Sequence, residues 1–316
     1  MLYDFGWDPA WAQALQDLRA GDPARVVAVH RGRVTLHDGR TVPVAGALRG
    51  EPPAVGDWVA ADGGHVRAVL PRRTQLRRAG EALVANVDLA VVVTSANRDF
   101  NESRTERLAA LARDGGVELL LVLSKADLCA DPVREAQRLA AVAGAPALAL
   151  SAQDGWGLAA LRERLAPRRT AALLGTSGVG KSTLVNLLLG EERQRTLAVR
   201  DVDDRGRHAT THRELFRLPD GALLVDTPGV KLPRLDGGDG IAATFADVEE
   251  LAARCRFADC RHDGEPGCAV RDAVDPRRLA SLRKLEREAM TAQERRARSR
   301  AAHREYRRIK KERGLD

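Results

Sequence analysis

The run Gly175-Thr176-Ser177-Gly178-Val179-Gly180-Lys181-Ser182 fits G-x-x-x-x-G-K-S at every fixed position. A loop of this composition lets successive backbone N–H groups curl around phosphate oxygens, and the helix it opens adds positive partial charge at its N-terminus. In that arrangement Lys181 reaches the β- and γ-phosphates, the Ser182 hydroxyl holds Mg²⁺, and Thr183 completes the phosphate site. Asp226-Thr227-Pro228-Gly229 lies downstream, after an apolar run. An Asp at such a strand end can hold Mg²⁺ through water, and the Gly229 N–H can turn to the γ-phosphate. Between the two lies Arg205-Gly206-Arg207-His208-Ala209-Thr210-Thr211, with neither helix nor strand pattern. Thr210 or Thr211 is placed to complete the Mg²⁺ shell, in a loop expected to order around the metal and the γ-phosphate. Val230 stands where many triphosphatases carry a water-orienting Gln, and its side chain cannot hydrogen-bond. His208 is the candidate for that task, since an imidazole orients water or accepts a proton near neutral pH. The competing reading makes His208 an exposed loop residue without a role.

The phosphate loop does not say which base is bound. Ser124-Lys125-Ala126-Asp127, after the apolar run Leu119–Leu123, resembles the N-K-x-D motif of GTPases. A carboxylate at Asp127 accepts from guanine N1–H and N2–H, a donor pair that adenine lacks. Lys125 would lie along the base plane. Ser151-Ala152, after Ala147–Leu150, resembles the S-A-x motif whose backbone meets guanine O6. Both motifs precede the phosphate loop, whereas in the usual order they follow it. A circular permutation preserves the sheet and the site, because domain termini often lie close together.

Cys255, Cys260, His262 and Cys268 supply three thiols and one imidazole within fourteen residues. Outside an oxidising compartment such a grouping favours a metal over disulfides, and the donor set suits a closed tetrahedral zinc site of structural kind. The surrounding segment is too poor in apolar residues to fold without a metal staple. Cys129 stands apart and is expected in the core.

These residues need a scaffold. The 316 residues are 44% hydrophobic and only 3% aromatic, so Val, Leu and Ala must fill the cores. No apolar run approaches the ~18 residues of a membrane span, and Met1–Ala10 lacks a secretory pattern. A soluble, cytoplasmic chain is expected, and nothing demands more than a monomer. Residues 1–21 carry Trp7 and Trp11 in a short helix. Residues 22–80 alternate five short Val-rich runs with Gly and Asp turns, including the hairpin signal His37-Asp38-Gly39-Arg40. That suggests a small barrel of OB type, with an SH3-like barrel as the alternative. Residues 81–235 alternate apolar strands with helices, as in a largely parallel α/β sheet with ligand loops at the strand C-terminal ends. Residues 236–316 hold the metal cluster and a helical, basic tail.

The formal charge of +7 is unevenly placed: residues 22–80 hold 10 Arg against 5 acids, and residues 281–316 hold 13 Lys and Arg against 6 acids. Two basic regions flanking the centre suggest a polyanion, with nucleic acid the usual one. Arg31, Arg33, Arg72, Arg73, Arg77 and Arg78 are the arginines expected to face it from the barrel. Leu279, Leu282, Leu285 and Ala289 fall at helical spacing, so the start of the tail is expected to pack on the metal module.

Taken together, these features resemble the circularly permuted GTPases, specifically the ribosome small-subunit-dependent GTPase A family. The resemblance spans nearly the whole chain: barrel, base motifs ahead of the phosphate loop, G-R-H-x-T-T, D-T-P-G, and C-x₄-C-x-H-x₅-C with a helical tail. It implies three parts, namely an OB-like RNA-binding barrel, a permuted P-loop GTPase domain and a zinc-binding helical domain. It further implies a late assembly factor that binds the small ribosomal subunit and its rRNA with GTP and Mg²⁺, and leaves on subunit-stimulated hydrolysis to GDP. One structural zinc per chain and a catalytic His208 are part of the same implication. The family usually has Asn at Ser124 and often Thr at Ala209. The shorter Ser124 is expected to tie the base loop less firmly to the phosphate loop, and so to weaken nucleotide affinity. Two other classes compete: a GTP-gated RNA tether that barely hydrolyses, favoured by Val230 and Ser124, and an ATP-using kinase, opposed by Asp127.

Overall fold

The structure is a computed structural model that describes residues 2–18, 21–49, 51–78, 80–96, 100–190, 213–227, 235, 238–291 and 294. Five strands, β1 (Asp22–His30), β2 (Arg33–Leu36), β3 (Thr41–Arg49), β4 (Trp58–Asp62) and β5 (His65–Val69), form a barrel. Its order runs β1-β2-β3-β5-β4, with β4 returning to β1 and β3 parallel to β5. That closure, with one parallel pair, is the OB arrangement and excludes the SH3-like alternative. Alternation is visible in β2, where Val34 and Leu36 point inward and Arg33 and Thr35 outward.

Helix α1 (Pro9–Leu18) closes one end of the barrel. Trp7 and Trp11 pack on the fully buried Trp58, with ring centroids 4.7 and 6.3 Å away. Arg25 joins this corner to the rest of the molecule. Only 2% exposed, it donates to Phe5 O (2.8 Å), Asn86 O (3.0 Å) and Thr170 Oγ1 (3.2 Å). Burial pulls its guanidinium down to about 10, against the attraction of Asp88 and Asp57.

A hairpin of β6 (Gln75–Arg78) and β7 (Glu81–Ala85) follows, lying across the expected boundary at residue 80. It changes the reading of the barrel's arginines. The Arg72 side chain is 7% exposed and paired with Asp57 (2.7 Å) and Glu51 (2.6 Å). Arg73 pairs with Asp8 (2.6 Å) and Arg77 with Glu51 (3.3 Å). Arg72 is thus turned inward and Arg77 is half-buried, so these two do not face outward as expected, whereas Arg73 ties the barrel to the N-terminal segment and stays exposed. Arg31, Arg33 and Arg78 are exposed.

The second sheet contains β8 (Leu89–Ser95), β9 (Glu118–Ser124), β10 (Ala147–Ala149), β11 (Thr170–Leu174), β12 (Glu214–Arg217) and β13 (Leu223–Asp226). The order is β10-β9-β8-β11-β13-β12, parallel except for β12. Strands β8 and β11 are buried along their whole length, which is why their sequences lack polar alternation. Helices α2 (Glu102–Asp114), α3 (Pro132–Ala143), α4 (Leu158–Leu165) and α5 (Lys181–Leu189) connect the strands. Helix α3 starts as expected, with Asp131 accepting from Arg134 N at 3.0 Å and Pro132 in the first turn. The edge of β12 is not open. Strand β1 of the barrel pairs with it antiparallel, Ala28 opposite Glu214, so one sheet of eleven strands runs from β10 into the barrel.

Two short helices, α6 (Asp239–Thr244) and α7 (Ala246–Ala252), precede the cysteine cluster, and α8 (residues 276–291) follows it. Leu279, Leu285 and Ala289 are buried as their spacing predicts, in the same core cluster as Leu108 and Leu111 of α2. The start of the tail therefore docks on the parallel-sheet domain as well as on its own module. Cys129 is half-buried, not in the core, because it caps the single turn Ala126–Leu128 on a loop. Among the described residues no helix is long and apolar enough to cross a membrane.

Candidate functional site

Strand β11 delivers the chain to Gly175 on the C-terminal edge of the parallel sheet. Gly175 has φ +151°, and a Cβ there would sit 2.5 Å from Val93 O of the neighbouring strand, so only glycine fits. Gly180, with φ +93°, caps α5, which begins at Lys181. Thr176 is half-buried, Ser177 and Gly178 are exposed, and Val179 is buried beneath them. Ser182 and Thr183 are exposed on the first helical turn. Lys181 folds back on the loop, its Nζ donating to Gly175 O and Thr176 O at 2.8 Å each. Burial lowers its pKa, opposed by the charge of Asp226.

Asp226 ends β13 beside this loop, in register with Leu173 of β11 and 7% exposed. The Thr227 hydroxyl donates to Leu173 O. Nothing in the sequence singled out Thr227 beyond its place in the motif; in the structure it fastens the start of D-T-P-G to the phosphate-loop strand. His208, Thr210, Thr211, Gly229 and Val230 lie outside the described residues.

The two base-reading segments meet at the same edge. Ala126 N donates to Leu150 O (3.1 Å) and Leu150 N to Leu123 O (2.8 Å), so β9 and β10 carry their loops side by side. Lys125 takes a left-handed φ of +56°, and Asp127 follows it, exposed. Ser151 is 1% exposed, with its N–H on Trp156 O (3.0 Å), and Ala152 follows it half-buried. An exposed carboxylate and an adjacent backbone turn can together read a guanine edge.

Ser124 corrects the expectation drawn from its length. Its Oγ lies 2.6 Å from Val179 O in the phosphate loop and 3.0 Å from Thr94 O. Lys125 Nζ adds a bond to Gly178 O at 2.9 Å. Consecutive residues of one loop thus hold consecutive carbonyls of the other. Ser124→Ala is expected to cost about 1 kcal/mol in both GTP and GDP affinity, with Ser124→Thr close to wild type. Titration calorimetry checks it; an unchanged alanine variant would remove the hydroxyl from the argument.

Farther along, Cys255, Cys260, His262 and Cys268 bring their ligand atoms within 4.8 Å of one another. His262 Nδ1 is 3.4 Å from Cys268 Sγ and 3.6 Å from Cys255 Sγ. Backbone N–H groups of Ala269 and Arg271 point at Cys255 and Cys268 Sγ, at 3.4 and 3.3 Å, as thiolates bound to a cation favour. The four residues could hold a metal such as zinc, and a set of four protein donors leaves no open position for chemistry on it.

The comparisons agree with this geometry. The family model described as RsgA GTPase matches residues 69–236. A protein of Xylella fastidiosa (strain 9a5c) described as "Small ribosomal subunit biogenesis GTPase RsgA" is 43% identical, over 93% of this chain and 96% of its own. The crystal structure of YjeQ from Thermotoga maritima aligns with a TM-score of 0.60 and 26% identity, over 85% of this chain and 98% of that one. YloQ, described as a circularly permuted GTPase, has the same fold, with a TM-score of 0.56 at 22% identity over 85% of this chain and 95% of its own. With base loops on β9 and β10 ahead of a phosphate loop on β11, and with that family match over more than half its length, the chain belongs to the RsgA GTPase family and is a GTP-hydrolysing enzyme.

Proposed function

We propose that this GTPase serves assembly of the small ribosomal subunit, binding the subunit's rRNA in the GTP state and leaving after subunit-stimulated hydrolysis. The observation that carries the reading is one row of paired residues across three strands, Asp226–Glu214–Ala28. Asp226 opens D-T-P-G, Glu214 lies three residues after Thr211, and Ala28 belongs to the barrel. A change at either loop that meets the γ-phosphate therefore acts on a strand bonded directly to the barrel. Relatives named for small-subunit biogenesis support the same partner.

In this mechanism the phosphate-loop N–H groups and Lys181 hold the phosphates, which draws Lys181 Nζ partly off its own carbonyls. Ser182, Asp226 and Thr210 or Thr211 would hold Mg²⁺, which neutralises charge on the phosphates when bound. His208 orients the attacking water. Asp127 and the Ser151-Ala152 backbone read guanine. The cysteine cluster holds one structural zinc. D-T-P-G is also separated from α6 by only nine residues, so the zinc module stands near in sequence to the same sensor. The non-hydrolysing tether loses one of its two supports, since Ser124 does bond the phosphate loop.

Multiple-turnover phosphate release with and without small subunits tests the proposal: strong stimulation is expected, and equal rates would overturn it. In the same assay His208→Ala should lower the stimulated rate ~10²-fold while GTP binding stays near wild type. Equal stimulated rates would move the water to another group. Asp127→Asn should lose at least about 1.5 kcal/mol of GTP affinity and gain xanthosine triphosphate, whose O2 accepts from the new amide. Normal GTP binding by that variant would place base reading elsewhere.

A further inference from the structure

The end of the parallel sheet opposite the phosphate loop carries a cavity of its own, of about 590 Å³. Three parts of the chain meet there. Asp88 precedes β8, Gly116 precedes β9, and Arg168 and Arg169 lead into β11. The N-terminal segment contributes Trp7 and Trp11, and the barrel contributes Arg25. The size is that of a small-molecule site, and junctions between domains are a common place for one. The whole length of β11 separates this cavity from Gly175, so GTP does not account for it.

The charges on its walls do not balance. Four arginines line it against three acids. Two of the acids already hold arginines: Asp8 takes both Nη groups of Arg73 (2.6 and 2.7 Å), and Glu118 pairs with Arg169. The third, Asp88, accepts from Thr170 N at 2.7 Å and attracts Arg25 from a distance. Arg25 and Arg168 are left over. Each hydrogen bond of the buried Arg25 goes to a neutral acceptor, Phe5 O, Asn86 O or Thr170 Oγ1, and its Nε has no partner among the described residues. The Trp58 ring, 5.0 Å away, relieves the charge only in part. A buried charge with no counter-ion in contact is costly. Arg168, at the rim, is exposed and has no carboxylate partner among the described residues. An anion beside these two would answer both. Guanidiniums fork onto phosphate oxygens, and the cavity is far larger than a bare ion needs. We propose that it binds a small phosphate ester, its phosphate bonded by Arg168 and offsetting the buried charge of Arg25 behind the wall. Such a ligand bridges the N-terminal segment, the barrel and the parallel sheet, and steadies their junction without touching the GTP site. The proposal goes beyond the small-subunit reading and does not depend on it.

The test uses the full chain saturated with GDP and Mg²⁺, so that the phosphate loop is occupied. Calorimetric titrations with ribose 5-phosphate, ribose and inorganic phosphate are compared. One ribose 5-phosphate should bind per chain, ~10-fold tighter than inorganic phosphate, and ribose should give no binding. Arg168→Asn removes the guanidinium and installs a residue type that tolerates the left-handed φ of +65° found there. It should weaken the ester ~10-fold, the scale of one charged hydrogen bond, with GDP affinity unchanged. Hydrogen exchange locates the site without any variant: the ester should slow exchange in residues 2–18 and 166–170. No binding of the ester to the GDP-loaded chain overturns the proposal. So does inorganic phosphate bound as tightly as the ester, since the walls would then contribute nothing. Undiminished binding by Arg168→Asn overturns it as well, as does protection that falls on residues 175–183 in place of the junction.

Discussion

Replacing Cys268 by serine is expected to unfold the stretch between α7 and α8 while GTP hydrolysis without subunits continues. Residues 253–275 contain no helix or strand, and Val270 and Val274 are their only buried apolar side chains. Ordering each residue costs about 1–2 kcal/mol of backbone entropy, which two valines cannot offset. A structural zinc contributes about 10–16 kcal/mol at neutral pH in small metal-dependent peptides, the only term of the right size. The thiols show what the metal would relieve. Desolvation pushes Cys260 up to about 11, while at Cys268 it is outweighed by the N–H groups of Arg271 and Val270 and by His262, so Cys268 falls to about 6. Hydrogen exchange should show protection lost between residues 253 and 275 in the variant or under chelation. Helix α8 should stay protected, because Leu279, Leu285 and Ala289 are buried in the main core. Metal analysis should give one zinc per chain purified without chelator. No zinc, or full protection in Cys268→Ser, would end the metal reading.

The residues that do chemistry were the legible ones. A phosphate loop, a base motif and a ligand cluster are local, so their residue types sit close together in the chain and announce themselves. The five barrel runs are five strands, and the alternation expected over residues 81–235 is present as strands and helices of the parallel sheet. What was not legible is non-local. No sequence signal pairs Ala28 with Glu214, and β12 reads the same whether its edge is covered by the barrel or open. The β6–β7 hairpin was missed because Arg77-Arg78 and Ala79-Gly80 look like the polar end of a domain. Arg72 looked like one more exposed cation, whereas Asp57, fully buried 15 residues upstream, needs it. Ser124 belongs with these: its short side chain reaches Val179 O because the fold brings the two loops together, which side-chain length alone does not reveal.

The largest non-local effect should appear at Glu106. Its carboxylate, in α2, has 0% side-chain exposure and accepts from Arg278 Nη1 (3.0 Å) and Arg277 Nη1 (3.2 Å), both at the start of α8. Arg278 also pairs with Asp247 (2.6 Å), donates to Val142 O (2.6 Å) and Thr244 O (3.1 Å), and lies 4.6 Å over the Phe245 ring. Arg277 reaches Glu102 (2.6 Å), and Glu288 pairs with Arg107. The module after residue 238 is thus locked to α2 by ion pairs centred on the buried Glu106 and the nearly buried Arg278 and Arg107, with more exposed partners at the rim. Glu106→Gln keeps the shape but turns an acceptor into a donor facing two guanidiniums. Removing one partner of a buried pair costs about 3–5 kcal/mol, because the other charge stays buried. The lower end applies here, since Asp247 and Glu102 still compensate the arginines. Glu106→Met with Arg278→Met removes both charges together and should recover most of the loss, as apolar replacements of buried pairs often do. Denaturant unfolding of the single and double variants measures both numbers. A single variant costing less than about 1 kcal/mol would class the pair with ordinary surface bridges. A double variant no better than the single one would mean that packing, not charge, seats α8 on α2.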